Sequence, residues 1–517
     1  MKLNYKRTIL VGFAFFLISA FWQAYDATIP VILTNKFGMS QTWSGVIMAL
    51  DNILAVFMLP LFGALSDKCA TRFGKRTPFI TVGTIVAAVA ILCLSFVDNA
   101  QLQNISAVST IDDPAALEII YDTQADTELL TPEGDTVILR QTFTKEEFVS
   151  IRCKITDSTT GKTITNPDYT NYVSPARQAY TADRTAENTI PLILFIALLL
   201  VVLVAMATFR SPAVALMPDV TMKPLRSKAN AIINLMGTAG GILVLVLGIV
   251  FSTSAVQNAM MSYTVYYTII AAIMLGALTI FLCTVREPKW AAQMAADSVK
   301  YGIEEEASSD DVKRSLSDAE KRSLICILLS IVLWYFGYNA VTSKYAVYAG
   351  NILDKDYNTT MLLAQGAAIV AYLPAGTVAS KIGRRKTILG GVVMLATAFG
   401  CAAFMRSSSP TWVMNILFAL AGIAWATINV NSFPMVVEMC SGADIGKYTG
   451  FYYTASMTAQ IATPMLSGFL MDQLGMTVLF PYAAVFVALA FVTMFTVKHG
   501  DSKVAAKAGL EAFDTED

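Results

Sequence analysis

The chain has 517 residues, of which 55% are hydrophobic and only 15% charged, with a formal net charge of −1. Soluble domains carry roughly 25% charged residues, so with a mean hydropathy of +0.56 an ordinary soluble enzyme is excluded, and near-neutrality leaves no electrostatic footprint for nucleic acid. Apolar runs of roughly 20 residues recur, the length that crosses about 30 Å of hydrocarbon, and the class is a polytopic, all-α membrane protein.

Twelve spans are predicted at 8–34, 41–65, 77–97, 189–211, 229–252, 262–284, 323–349, 359–379, 387–405, 411–436, 446–470 and 478–497. Lys2, Lys6 and Arg7 precede a run too long for a signal h-region and no small-residue cleavage site follows, so no cleavable leader is expected. Lys and Arg gather in alternate connections: the N-terminus, 68–76, 223–228, 286–322, 381–386 and the tail. The positive-inside bias then puts both termini in the cytoplasm of a cell-membrane protein. The expected organisation is a first half built from 1–97 and 189–284, an extracytoplasmic insert at 98–188, a cytoplasmic linker at 285–322, a second half at 323–498 and a tail at 499–517. In the insert, the alternation from Phe148 to Thr156, a turn at Asp157–Gly161 and the stretch 162–165 predict a β-hairpin. The acidic run Glu304–Glu306 with Asp310 and Asp311 reads as solvated linker.

The halves repeat one another. Gly63-Ala64-Leu65-Ser66-Asp67-Lys68 with Gly74-Lys75-Arg76 follows Leu59-Pro60, and Gly376 to Lys386 follows Leu373-Pro374. Aligned on these Leu-Pro pairs, Asp51 faces Gln365; aligned on Trp and Tyr, the run Trp22, Tyr25, Asp26 faces Trp334, Tyr338, Asn339. Two acids of the first half thus have amides as their counterparts. One shared polar cavity, with an ionisable wall contributed by the first half, is the arrangement this predicts.

Asp26 and Asp51 come from neighbouring antiparallel spans at comparable depth, about 1.5 Å per residue into each. A mid-bilayer carboxylate costs on the order of 2.5–3.5 kcal/mol on insertion scales, so these groups are protonated, paired or facing water. They are the candidates for proton or cation coupling. Arg210 and Lys344 are the candidate cationic partners. His499 lies beyond the last span, which leaves carboxyls to carry any proton. Trp22, Gln23, Tyr25, Trp334, Tyr338, Asn339, Gln365, Asn429, Asn431 and Gln460 supply flat faces and amides suited to a hydroxyl-rich neutral ligand. Gly63, Asp67, Gly74, Lys75 and Arg76 are candidate gating elements at the cytoplasmic mouth, together with two acid–base pairs, Asp219 with Arg226 and Glu438 with Lys447. No metal cluster, nucleophile motif or phosphate loop is present in the sequence, and neither a cofactor nor an enzyme activity is expected.

The loop Gly63-x-x-x-Asp67-Lys68 with Gly74-Lys75-Arg76 resembles the signature of the major facilitator superfamily, whose two six-helix halves bind substrate at mid-membrane. The longer stretch from Ser66 to Ile80, and Arg210-Ser211-Pro212 through Pro218-Asp219, are similar to the sucrose–proton symporters and their bacterial relatives within the glycoside–pentoside–hexuronide:cation symporter group. Val214 stands where the plant proteins carry an Arg, with Arg210 four residues earlier. The resemblance implies a monomeric carrier that takes up a sugar with a proton. Sodium coupling, another organic solute, and a transport-silent sensor using the insert as its ligand-binding head remain as alternatives.

Overall fold

A computed structural model describes residues 3–156, 161, 163–222, 225–301, 316–437, 439 and 445–499. Twelve long helices run through it: α1 Tyr5–Asn35, α2 Gln41–Lys68, α3 Thr77–Asn104, α4 Ile190–Val220, α5 Arg226–Phe251, α6 Thr264–Thr284, α7 Asp318–Tyr348, α8 Tyr357–Ile382, α9 Arg384–Ala402, α10 Thr411–Val437, α11 Ile445–Leu474 and α12 Leu479–Thr496. Ten of them are long and apolar enough to cross a membrane. Of the other two, α11 is diluted by polar groups such as Gln460, which faces a cavity, and α8 includes side chains outside the described residues. The largest boundary difference from the sequence reading is at α4, which continues through Pro212 and Pro218 to Val220. A proline deletes one amide donor and bends a helix without having to end it.

There are two apolar cores, one formed by α1 to α6 and the other by α7 to α12 together with Ala27 and Val31 of α1 and Leu245 of α5. The seam between them is closed on the side that carries the insert. There α2 meets α11 backbone to backbone: a Cβ on Gly45 would strike the Pro464 carbonyl, and one on Gly468 the Gln41 carbonyl. Asp472 of α11 accepts hydrogen bonds from the Gln41 amide (2.7 Å), the Thr42 amide (2.7 Å) and the Thr42 hydroxyl (2.5 Å). The first amides of a helix have no intrahelical acceptor, so α11 caps α2 from the other half. Between α5 and α8, Ser254 Oγ donates to Asp356 (2.6 Å) and Asn358 Nδ2 to Thr253 Oγ1 (3.1 Å). On the opposite, terminal side α2 is uncovered, with Phe57 71% and Leu61 52% exposed. The molecule is closed on the insert face.

A buried ion pair ties the first half together at the insert face. Lys36 Nζ donates to both Asp98 carboxylate oxygens (2.6 and 2.7 Å) and to the Met261 carbonyl (2.7 Å), with both side chains fully buried. Gln101 Nε2 donates to the Lys36 carbonyl (2.8 Å).

The insert is a folded unit with its own core, including Leu117, Ile120, Tyr121, Phe148 and Tyr169. Two antiparallel hairpins form, β1 Glu128–Leu130 with β2 Thr136–Ile138, and β3 Lys154–Thr156 with β4 Thr163–Thr165. The expected hairpin is shorter than its sequence pattern, because Phe148 to Ser150 belong to a helix, Lys145–Ser150. The Thr144 hydroxyl and the Glu147 carboxylate cap each other's backbone amides there, a local helix start that overrides the alternation. The insert touches both halves. Gln178 Nε2 donates to the Met39 carbonyl (3.0 Å), Gln101 Nε2 to Thr185 Oγ1 (2.9 Å), the Thr165 amide to Asp354 (3.0 Å) and the Met476 amide to the Pro132 carbonyl (2.8 Å).

Candidate functional site

Between the halves at mid-depth lies a cavity of about 480 Å3, within the range of small-molecule sites. The first half contributes Trp22, Gln23 and Asp26 from α1, Arg210 from α4, and Asn230, Asn234 and Thr238 from α5; the second contributes Tyr338 and Thr342 from α7, Gln365 and Tyr372 from α8 and Trp425 from α10. A second recess of about 210 Å3 shares Trp22, Asp26, Arg210 and Thr342 with it and adds Tyr25, Asp51, Asn339 and Gln460. Asp26 and Arg210 therefore border both spaces. Asp51 belongs to the recess alone, where Asn52 Nδ2 donates to it at 2.9 Å.

Two features span the cavity's walls. Gln365 Nε2 of α8 donates to Gln23 Oε1 of α1 at 2.6 Å, and Gln23 Nε2 donates to the Tyr357 hydroxyl at 3.3 Å. This amide chain joins the halves at the cavity's roof. On the second-half wall, Tyr338 and Trp425 stack face to face, with centroids 3.6 Å apart and planes within 6°. Stacked rings form a rigid, flat surface with little side-chain entropy left to lose. Across the cavity, the Arg210 guanidinium lies 6.0 Å from the Trp22 ring.

Four of the sequence candidates stand elsewhere. Trp334 is fully buried in the second-half core, one turn from the tight α7–α12 contact where Gly337 meets Val487 and Ala483. Lys344 is fully buried too, and its ammonium donates to the Gln41 carbonyl at the closed seam. Asn431 is buried and donates to the Thr427 carbonyl of its own helix (2.9 Å), a turn-to-turn bond open to any helical Asn. Asn429 is half-buried on α10 outside both cavities.

At the terminal face the basic loop is held differently from the expected pairing. Asp219 does not pair with Arg226. Arg76 Nε donates to Asp219 at 2.8 Å, and the same guanidinium contacts Asp67 and Ser66. Arg226 instead donates to the Pro218 and Thr221 carbonyls (3.1 and 3.2 Å), the exposed acceptors at the end of α4. Glu287, just after α6, accepts from the amides of Lys75 (2.6 Å), Arg76 (2.9 Å) and Thr77 (2.8 Å) and from the Thr77 hydroxyl (2.7 Å). Gly74 sits against that carboxylate at φ +118°, where a side chain has neither the space nor the backbone freedom. Gly63 lies against Ser211, whose Oγ would be 2.9 Å from an added Cβ.

The second expected gating pair, Glu438 with Lys447, lies outside the described side chains. Glu438 lies outside them. Lys447 stands on the first turn of α11, and its side chain lies outside what is described.

The sequence reading missed the Gln365–Gln23–Tyr357 chain as a bonded unit, and it missed Asp472 and Glu287. The two carboxylates sit at helix ends in an otherwise ordinary charged context. Their partners are backbone amides, which leave no trace in residue type.

A structure titled the inward-open xylose transporter XylE from E. coli superposes with a TM-score of 0.58 at 14% identity, covering 97% of each chain. The chain has the major facilitator fold. A bacterial homologue of the iron transporter ferroportin gives a TM-score of 0.59 at 12% identity over 96% of this chain and 99% of that one. In keeping with the two major facilitator halves, the family model described as MFS/sugar transport protein matches residues 10–107 and the one described as Major Facilitator Superfamily matches 354–514. Among curated proteins, the MFS-type transporter ppzB of Metarhizium majus is 31% identical over 124 residues, 24% of this chain and 26% of that protein. The sucrose transport protein SUC4 of Arabidopsis thaliana is 29% identical over 74 residues, 14% of each chain. The chain spans about a quarter of the length of the first curated relatives it matches.

Proposed function

We propose that the protein moves a sugar across the membrane together with a proton by alternating access, with the insert face outside. The observation that carries this reading is the position of Asp26. It borders both the large cavity and the recess that holds Asp51, opposite a Tyr338–Trp425 platform suited to the C–H face of a sugar ring. Arg210, Gln23, Gln365 and the α5 amides would bind hydroxyls. Protonation of Asp26 removes a charge from the space that must close around the sugar, so the doubly loaded carrier crosses more readily than the half-loaded one. Support also comes from the sugar-transport family model, which covers both Asp26 and Asp51, and from the sucrose transport proteins among the relatives. The human relative named proton-associated sugar transporter A is 39% identical over 70 residues, 14% of this chain and 9% of that protein.

External pH in lightly buffered, energy-depleted cells tests the proposal. Sucrose, maltose, melibiose or glucose added without sodium should alkalinise the medium through the wild type, and Asp26→Asn should abolish that signal while keeping sugar-for-sugar exchange. Unchanged proton-coupled uptake in Asp26→Asn would overturn the assignment of the proton site. Uptake that needs sodium would replace the proton as the coupling ion.

A further inference from the structure

Where the insert meets both halves there is a small cavity of about 40 Å3. Arg177 enters it from the insert helix Ser174–Glu187 and is only 3% exposed. Its Nε, Nη1 and Nη2 have no hydrogen-bond partner, nor does the buried Tyr169 hydroxyl beside it. The guanidinium lies 5.8 Å from the Tyr169 ring centroid, over its face. Among the described residues no acid accepts a hydrogen bond from Arg177: Asp112 accepts from the Cys153 amide (2.6 Å), Asp354 from the Thr165 amide (3.0 Å) and Asp356 from the Ser254 hydroxyl (2.6 Å). A guanidinium does not shed its proton in a protein, and buried charged donors left without acceptors are strongly unfavourable. The walls also include Asn35 of α1, Thr253 after α5 and Gly350 after α7, so the site is complete only while the insert face is closed.

We propose that this cavity binds one small monovalent anion of halide size, held by the Arg177 guanidinium and the Tyr169 hydroxyl. The volume is ample for a single-atom ion. The five guanidinium N–H donors supply both charge and direction. Because the ion would touch both halves and the insert, it favours the closed insert face by mass action.

The test is the melting temperature of the purified full chain in chloride, bromide and gluconate at equal ionic strength. Chloride and bromide should raise it by a few degrees with a saturable dependence that gluconate does not reproduce, and Arg177→Met should lose the saturable part. A rise that is equal in gluconate, that fails to saturate, or that persists in Arg177→Met overturns the proposal. If Arg177→Met does not fold, bromide anomalous scattering from wild-type crystals decides: a peak beside Arg177 supports the site, and its absence at saturating bromide refutes it.

Discussion

Replacing Asp472 with Ala should open the insert face. In the closed seam its carboxylate accepts from two amides at the start of α2 and from the Thr42 hydroxyl. Once the seam opens those donors turn to water, so the relevant quantity is the net value of the cap and not the full strength of three bonds. An N-cap is worth about 0.5–2 kcal/mol, and a carboxylate at a helix N-terminus adds about 0.3–1 kcal/mol through the macrodipole. Together these give about 1–3 kcal/mol, or a roughly 5- to 150-fold shift in population toward the open insert face. A single cysteine at Ser343, on the recess wall, in a background without the others, reports this state. It should react slowly with an impermeant maleimide applied from the insert side, and the reaction should accelerate by about that factor in Asp472→Ala. An unchanged rate in a normally folded variant would refute the argument, because it would show that the trans cap contributes nothing to holding the halves together.

Asp98→Asn leaves Lys36 as an uncompensated buried charge and should cost about 3–5 kcal/mol, read as a large fall in melting temperature; the double variant Lys36→Met/Asp98→Leu should recover most of it. Gly74→Val forces a side chain into the Glu287 carboxylate at a positive φ and should loosen the basic loop by about 1–3 kcal/mol, seen as faster trypsin cleavage after Lys75 or Arg76. Burial pushes the Asp356 carboxyl up, but hydrogen bonds from Ser254, Thr359 and Asn358 outweigh it and hold it below its ordinary value of 3.8. A depressed carboxylate stabilises the fold above its unfolded pKa and loses that contribution as pH falls through the folded one. The melting-temperature gap between wild type and Asp356→Asn should therefore hold steady from neutral pH down to that ordinary value and shrink only below it; a gap that closes between neutrality and pH 5 would contradict the sign.

The membrane helices were legible because a span must present about 20 apolar residues whatever its neighbours are. That constraint acts on local composition, and the duplicated Leu-Pro and basic-turn signals locate the two halves. The aligned pairs Asp26/Asn339 and Asp51/Gln365 were readable for a related reason: a polar group is costly in hydrocarbon and stands out. All four side chains border the two adjoining cavities. Trp334, by contrast, resembles Trp22 in sequence and yet packs in a core, since an indole is equally at home on a cavity wall or between helices. Asp219 was paired with Arg226 by proximity in the chain, but its partner, Arg76, is 143 residues away. The insert's bridging of both halves rests on backbone carbonyls and on Asp354, Thr165 and Pro132, none of which carries a distinctive pattern.

The Glu287 clasp also bears on the order in which the chain is completed during synthesis. The three amides of the basic loop leave the ribosome 212 residues before the carboxylate that receives them from Lys75 onward. At about 5–20 residues per second that is a wait of about 10–40 s, during which the loop's amides have only water. Glu287 is also the first acid after α6, the last helix of the first half. The clasp can therefore fasten only after all six helices of that half have been made. A nascent chain that stalls inside α6 lacks this carboxylate, and its basic loop stays unfastened.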